Sequence, residues 1–215
     1  MNYAERYCVA LEGFADPLTP ADQTPAEEIS NGESRLGISL PEALRAYYLA
    51  LGRHSVNRAC DRLLPPDEWY IDQGHLTFVE GHHNTFFWGF PLDDTSENPA
   101  IYQGRLGHNT IHWDTENGRC AEFLVAMMHW QAVGGWLEFI GSASIGSADL
   151  ERIRTHWQFV GGVDNGVMAF TEGGDVACVG GKDEDLELIA ASRTEEDYEA
   201  MDKRLKSLGI ALKPY

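Results

Sequence analysis

Leu36-Gly37-Ile38-Ser39-Leu40-Pro41-Glu42-Ala43-Leu44-Arg45-Ala46-Tyr47-Tyr48-Leu49-Ala50-Leu51-Gly52-Arg53 is the stretch on which the fold turns. It carries helix signals at both ends. Ser39 is a good N-cap residue, because its hydroxyl can accept from the unpaired N–H groups of a first turn. Glu42, three residues on, completes a capping box. Pro41 in that turn loses no hydrogen bond. Leu40, Leu44, Tyr47, Tyr48 and Leu51 recur at helical spacing and make one apolar face. Gly52 is the expected stop, since it can take the left-handed conformation after a last turn.

Working outward, residues 3–14 suit a short helix or strand, and residues 15–26 are a turn-rich lead-in. Thr24-Pro25 followed by Glu27 starts a second helix that runs to about Arg35, with Ile29 pointing inward. Downstream, Ser55 is placed to cap a short helix ended by Pro65-Pro66. Leu76–Val79 and Thr85–Phe90 are rich in β-branched and aromatic residues and flank the turn Glu80-Gly81-His82-His83-Asn84, which predicts a β-hairpin. Along its second arm Phe86 and Trp88 should face one side and Phe87 the other. Ala100–Gln103 and Thr110–Asp114 are short strand candidates. Cys120–Val133 is a densely apolar helix closed by Gly134-Gly135. From Trp136 a second mixed unit begins. It has a helix near Ala148–Thr155, strands at Gln158–Val160, Val167–Thr171, Val176–Val179 and Leu186–Ala190, and turns at Asn165-Gly166 and Gly173-Gly174. A last helix starts at Thr194, with acids in its first turn and bases in its last.

The 215 residues carry 34 acidic and 16 basic side chains, a formal charge of −18. The excess is spread: residues 1–133 hold 8 Arg against 19 Asp and Glu, and residues 134–215 hold 8 Lys and Arg against 15. Such a surface repels nucleic acid and steers towards a basic partner; solubility alone is the plain alternative. No apolar run reaches the roughly 20 residues of a bilayer span, and the N-terminus lacks the basic-then-apolar pattern of a secretory signal. A cytoplasmic protein without membrane attachment is expected. Cys8, Cys60, Cys120 and Cys178 stand far apart with no CxxC pair, which speaks for small buried side chains rather than a zinc site or disulfides.

The ordered set Leu36–Pro41, a Tyr-rich helix ending in Gly52, His75-Leu76-Thr77-Phe78-Val79-Glu80, Trp88-Gly89, Asp93-Asp94, Asn98-Pro99-Ala100-Ile101-Tyr102, Glu122-Phe123-Leu124 and Trp130-Gln131-Ala132-Val133 resembles the SUKH (Smi/Knr-like) superfamily over residues 20–135. The resemblance implies an α+β fold with helices on a curved, mostly antiparallel sheet, and residues 136–215 then form a C-terminal α+β extension. This extension either continues that sheet or makes a subdomain. The resemblance also implies a non-enzymatic protein-binding role: either a bacterial immunity protein that neutralises a toxin by contact, or an intracellular regulatory scaffold. The chain departs from the family at the turn, where Glu80 and Asn84 fit the usual polar pattern only loosely.

Direct chemistry offers less. His82-His83, read as a strand pair, point apart. His108 and His112 lie four apart in a strand rather than on the helix that an HxxxH ligand pair needs. His112 with Asp114 and Glu116 is the set a hard metal would use. Cys120, at a helix start that would lower its pKa, is the one thiol placed to act as a nucleophile. Either would make the chain a metal- or thiol-dependent enzyme. The reading taken forward assigns no catalytic residue, metal or cofactor. It expects a basic protein partner, such as a nuclease toxin, and is compatible with a homodimer. The contact surface is expected at Asp67, Glu68, Trp69, Glu80, His82, His83, Asn84, Asp93, Asp94 and Glu97.

Overall fold

The computed structural model describes residues 1–108, 110–162, 166–182 and 185–214. Among these the fold is α+β, with six α-helices and two six-stranded antiparallel sheets. The N-terminal helices are α1 (Tyr3–Glu12), α2 (Ala26–Leu36) and α3 (Glu42–Leu51). The apolar face read from the sequence is the buried one: Leu44, Tyr48 and Leu51 have no exposed surface and Tyr47 has 1%.

Both ends of α3 differ from expectation. Pro41, not Ser39, takes the cap position, and no side chain caps the helix. Distant groups do that work instead. The carbonyl of Glu97 accepts from Ala43 N–H (3.0 Å), and Glu33 Oε1 accepts from Leu40 N–H (2.7 Å). A capping box is thus unnecessary, because the orphan donors of a helix start need only some acceptor. Gly52 has φ −61°, right-handed rather than left-handed. It is glycine for lack of space: a Cβ there would stand 2.4 Å from Thr24 Oγ1 and 2.8 Å from Tyr48. Ser55 does not cap the next turn either. His54 Nδ1 accepts from Val56 N–H (3.2 Å), and the Ser55 hydroxyl accepts from the Trp136 indole (2.9 Å).

The first sheet comprises β1 (Arg62–Leu63), β2 (Tyr70–Asp72), β3 (His75–Glu80), β4 (Phe86–Pro91), β5 (Ala100–Leu106) and β6 (Ile111–Arg119). Its order is β1-β3-β4-β5-β6, with β2 beside β1 on β3. The expected hairpin is β3–β4. As the alternation predicts, Phe87 lies on the face opposite Phe86 and Trp88, and the Trp88 ring packs on Phe123 at 6.2 Å.

The chain passes straight from β6 into α4 (Cys120–Gln131), nine of whose residues are buried. Apolar all round, α4 has to be covered on every side. The first sheet meets it through Phe78 and Trp88 against Phe123, and the second sheet through Gly161 beside Val125.

The second sheet is separate, in the order β12-β7-β11-β10-β9-β8. It comprises β7 (Phe139–Ile145), β8 (Gln158–Gly162), β9 (Met168–Glu172), β10 (Asp175–Lys182), β11 (Asp185–Ser192) and β12 (Lys213–Pro214), with α5 (Ser147–His156) and α6 (Glu195–Ser207) among them. The residues after Trp136 therefore build their own sheet and do not prolong the first. Along β10, Val176 and Cys178 enter the core shared with α4, while Ala177 and Val179 enter a second core with Ile153, Met201 and Leu205. That period-two alternation marks a strand covered on both faces. The Thr194 cap is as expected, accepting from Asp197 N–H at 3.1 Å. Strand β7, in the middle of the sheet, has no counterpart in the sequence expectation. The turn at Gly173-Gly174 joins β9 to β10, whereas Asn165 of the other expected turn lies outside the described residues. Among the described residues no helix is long and apolar enough to cross a membrane.

Candidate functional site

The two sheets diverge above α4 and leave a cleft of about 1230 Å³. Its floor is the outer face of α4: Phe123, Ala126, Met127 and Trp130. One wall carries Phe86 and Trp88 of β4, Gln103 and Arg105 of β5, and Asp114 to Glu116 of β6. The opposite wall comes from the second sheet, with Gly180 and Gly181 of β10 and Asp185, Glu187 and Ile189 of β11. One end is made by Cys60, Asp61 and the hairpin turn with Gly81, His82 and His83.

A chain of hydrogen bonds fixes that end. Gln131, 1% exposed at the end of α4, accepts from the N–H groups of Cys60 (2.7 Å) and Asp61 (2.8 Å) through Oε1, and its Nε2 donates to the Asp61 carbonyl (2.5 Å). Asp61 Oδ1 then accepts from His82 N–H at 3.1 Å. The turn closes on itself through Gly81 N–H to Phe86 O (2.8 Å) and Asn84 N–H to Gly81 O (2.8 Å), with Asn84 at φ +53°. Asparagine tolerates that left-handed conformation better than most residues. Replacing Gln131 by Leu keeps the volume but leaves two N–H groups and a carbonyl without partners. It should cost about 2 kcal/mol in urea unfolding and move the amide signals of Asp61 and His82; an unchanged midpoint would show that the bend holds without it.

The electrostatics of the cleft are one-sided. Among its described lining residues, five carboxylates (Asp61, Asp114, Glu116, Asp185 and Glu187) stand against one arginine. Arg105 is itself engaged, donating to Gln103 Oε1 (3.1 Å) and lying 5.7 Å over the Phe86 ring. Burial pushes the carboxyl of Asp61 above its ordinary pKa, although the His82 N–H and the Trp130 indole pull it down again. Burial raises Glu116 as well, against the pull of Arg105. Both shifts reflect charge held in a poorly solvated place.

Of the ten residues expected to contact a partner, only His82 and His83 line the cleft. Their rings lie side by side, 4.3 Å between centroids. They do not point apart as a strand pair would, because they sit in the turn, where alternation does not apply. Asn84 is exposed beside them. Glu68 and Glu80 are both tied to Arg62, at 2.7 Å in the case of Glu80. Asp94 accepts from the N–H groups of Ser96 (3.0 Å) and Ala100 (3.2 Å), which shape its own loop; the Ser96 side chain first, then these N–H groups, hold its carboxyl below the usual range. Asp67, Asp93 and Glu97 are exposed. Trp69 is corrected outright. It is 1% exposed inside the core, its indole donating to Tyr48 Oη (2.8 Å) and the Leu64 carbonyl (3.1 Å), so no partner can touch it.

Among the described residues no three His, Cys, Asp or Glu side chains converge as metal ligands. His112, Asp114 and Glu116 follow one another on one face of β6, and their side chains do not gather into such a group. Cys120 does open α4, but burial pushes its thiol well above the ordinary value, the reverse of the activation expected at a helix start. The cleft was not legible as a site, because Asp61, the His82-His83 turn and the α4 floor come from three separate stretches of sequence and no local pattern joins them. Comparison with protein-family models, with curated proteins and with solved structures finds no match to this chain.

Proposed function

We propose that this chain is a non-enzymatic binding protein whose cleft receives a basic segment of a partner protein. The observation that carries the reading is the lining of the cleft: an aromatic floor, with five carboxylates on its walls and at its end against a single, already engaged arginine among the described residues. Aromatic side chains supply most of the contact energy of protein interfaces. The surrounding negative field, part of a net charge of −18, speeds the approach of a basic partner and makes binding salt-sensitive. The most specific form of the reading is an immunity protein that blocks a basic toxin, such as a nuclease, in the cytoplasm. The resemblance of residues 20–135 to the SUKH superfamily supports it, and the four free thiols suit a reducing compartment.

Capture from a lysate of the native cell at low and at high salt tests the reading, using tagged wild-type chain beside two charge-reversed variants. In one, Asp114, Glu116 and Glu187 become Lys; in the other, Asp67, Asp93 and Glu97 do. A single basic protein should be held at low salt and released at high salt. It should bind about tenfold more weakly, or not at all, to the cleft variant, a loss of about 1.4 kcal/mol or more. It should bind normally to the loop variant. Loss in the loop variant alone would move the interface to the surface expected from the sequence, and capture that is indifferent to salt and to both variants would end the reading.

A further inference from the structure

We infer that the Asp61 end of the cleft is an anchor pocket for one arginine side chain of the partner, with Asp61 as its counter-ion. This deepens the reading of the cleft as a partner-binding surface and rests on it. The inference comes from how the chain treats its other buried acid and several half-buried ones. Asp175, 4% exposed, is paired with Arg204 and accepts from the Ser192 hydroxyl at 2.6 Å. Glu33 is paired with Arg45, Glu122 with Arg6 at 2.7 Å and Glu80 with Arg62 at 2.7 Å. Asp61 matches Asp175 in burial, at 7% exposure, and is more buried than the paired glutamates, yet among the described residues no arginine or lysine lies within ion-pair distance of it. Its hydrogen bond is to the backbone N–H of His82, and the His82 ring and Trp130 indole act on it only from further off.

A carboxylate removed from water without a cation is costly, and at Asp175, the other buried acid, this chain supplies the cation itself. At Asp61 the missing cation has a way in, because the residue opens onto the cleft. The shape around it favours guanidinium over ammonium. Trp130 and the paired rings of His82 and His83 offer flat surfaces, and a guanidinium is planar, weakly hydrated and stacks on aromatic faces, whereas an ammonium is compact and strongly hydrated.

The test uses nuclear magnetic resonance on the isotope-labelled full chain, titrated with capped single amino acids (N-acetyl amides of arginine, lysine and norleucine) and with a nine-residue peptide of alternating arginine and glycine. Capped arginine should shift the Trp130 indole and His82 amide signals, binding about threefold or more tighter than capped lysine, while norleucine leaves them in place. Asp61→Asn keeps an oxygen for the His82 N–H, so the bend survives. It should weaken arginine binding about tenfold with the remaining spectrum unchanged, and Asp61→Glu should restore part of it. Equal binding by wild type and Asp61→Asn overturns the anchor. If the peptide then still shifts Asp114, Glu116 and Glu187, the cleft reading stands without it. If neither probe shifts any cleft signal, both fall. Equal or tighter binding of lysine overturns the assignment to arginine.

Discussion

Trp69→Ala is expected to remove about 4 kcal/mol of stability, near half of what a domain of this size ordinarily has. Trp69 is among the largest fully buried side chains and joins three segments. Its ring meets Tyr48 of α3 edge-on at 5.1 Å, and its indole donates to Tyr48 Oη and to the Leu64 carbonyl. Against the ring stands Gly32 of α2, where a Cβ would come within 2.9 Å of it. Alanine would open a cavity that neither helix can close, since both are fixed by their own contacts. Trp69→Phe separates area from hydrogen bonding. It keeps most of the apolar surface, and the Tyr48 hydroxyl still donates to Leu64 O (2.6 Å), so about 1–2 kcal/mol should be lost. Urea unfolding followed by circular dichroism measures both. A loss under about 1 kcal/mol for the alanine variant would mean that the indole is not part of the core, and partner binding by folded Trp69→Phe should be unchanged.

How legible the molecule is depends on the range of the forces that shape each part. The apolar face of α3 is written at a spacing of three and four residues, so Leu44, Tyr47, Tyr48 and Leu51 announce their burial without any neighbour in view. The hairpin arms show equally clearly, since alternation is also a local property. Strand β7 does not show, because Gly141, Ser142 and Ser144 have little strand preference; it is a strand because β11 pairs along its whole length. There the sheet overrides propensity. The caps of α3 are misread for a similar reason. Ser39 is a competent cap, but the helix begins two residues later, and the Glu97 carbonyl takes the Ala43 N–H of its first turn from elsewhere in the fold. The cleft is the extreme case: Asp61, Glu116, Trp130 and Glu187 meet only because α4 holds two sheets apart. Charge alone pointed to a basic partner, yet it singled out the exposed loop acids, several of which are occupied in shaping their own loops or in pairing with Arg62.

Between pH 6.5 and 4 the wild-type chain is expected to lose on the order of 3 kcal/mol through one side chain, His129. His129 has no exposed surface, packs edge-on against Phe14 at 5.0 Å and donates through Nδ1 to the Val125 carbonyl, 2.7 Å away. Its Nε2 has no partner among the described residues. Burial therefore pulls its pKa from the ordinary 6.5 down to about 4, with the Val125 carbonyl acting weakly the other way. Above pH 6.5 the imidazole is neutral in both the folded and the unfolded chain and exacts no penalty. As pH falls below 6.5 the unfolded chain takes up a proton that the folded one refuses, so stability drops by up to about 1.4 kcal/mol per pH unit until the folded form also protonates near pH 4. Half-buried His54 is lowered by burial too and adds in the same direction, whereas the raised carboxyls of Asp61, Glu116 and Asp175 oppose it. The raw profile thus mixes several groups, and a difference profile against His129→Leu isolates the one. Leucine is close in size, removes the orphaned nitrogen, and leaves the helix hydrogen bond to the Val125 carbonyl in place. At pH 7 the two chains should agree within about 1 kcal/mol. At pH 4.5 the leucine variant should be the more stable by about 2 kcal/mol. A difference that stays flat across that range would show that His129 is protonated in the fold or reaches water there, and the acid sensitivity would then belong to the carboxylates.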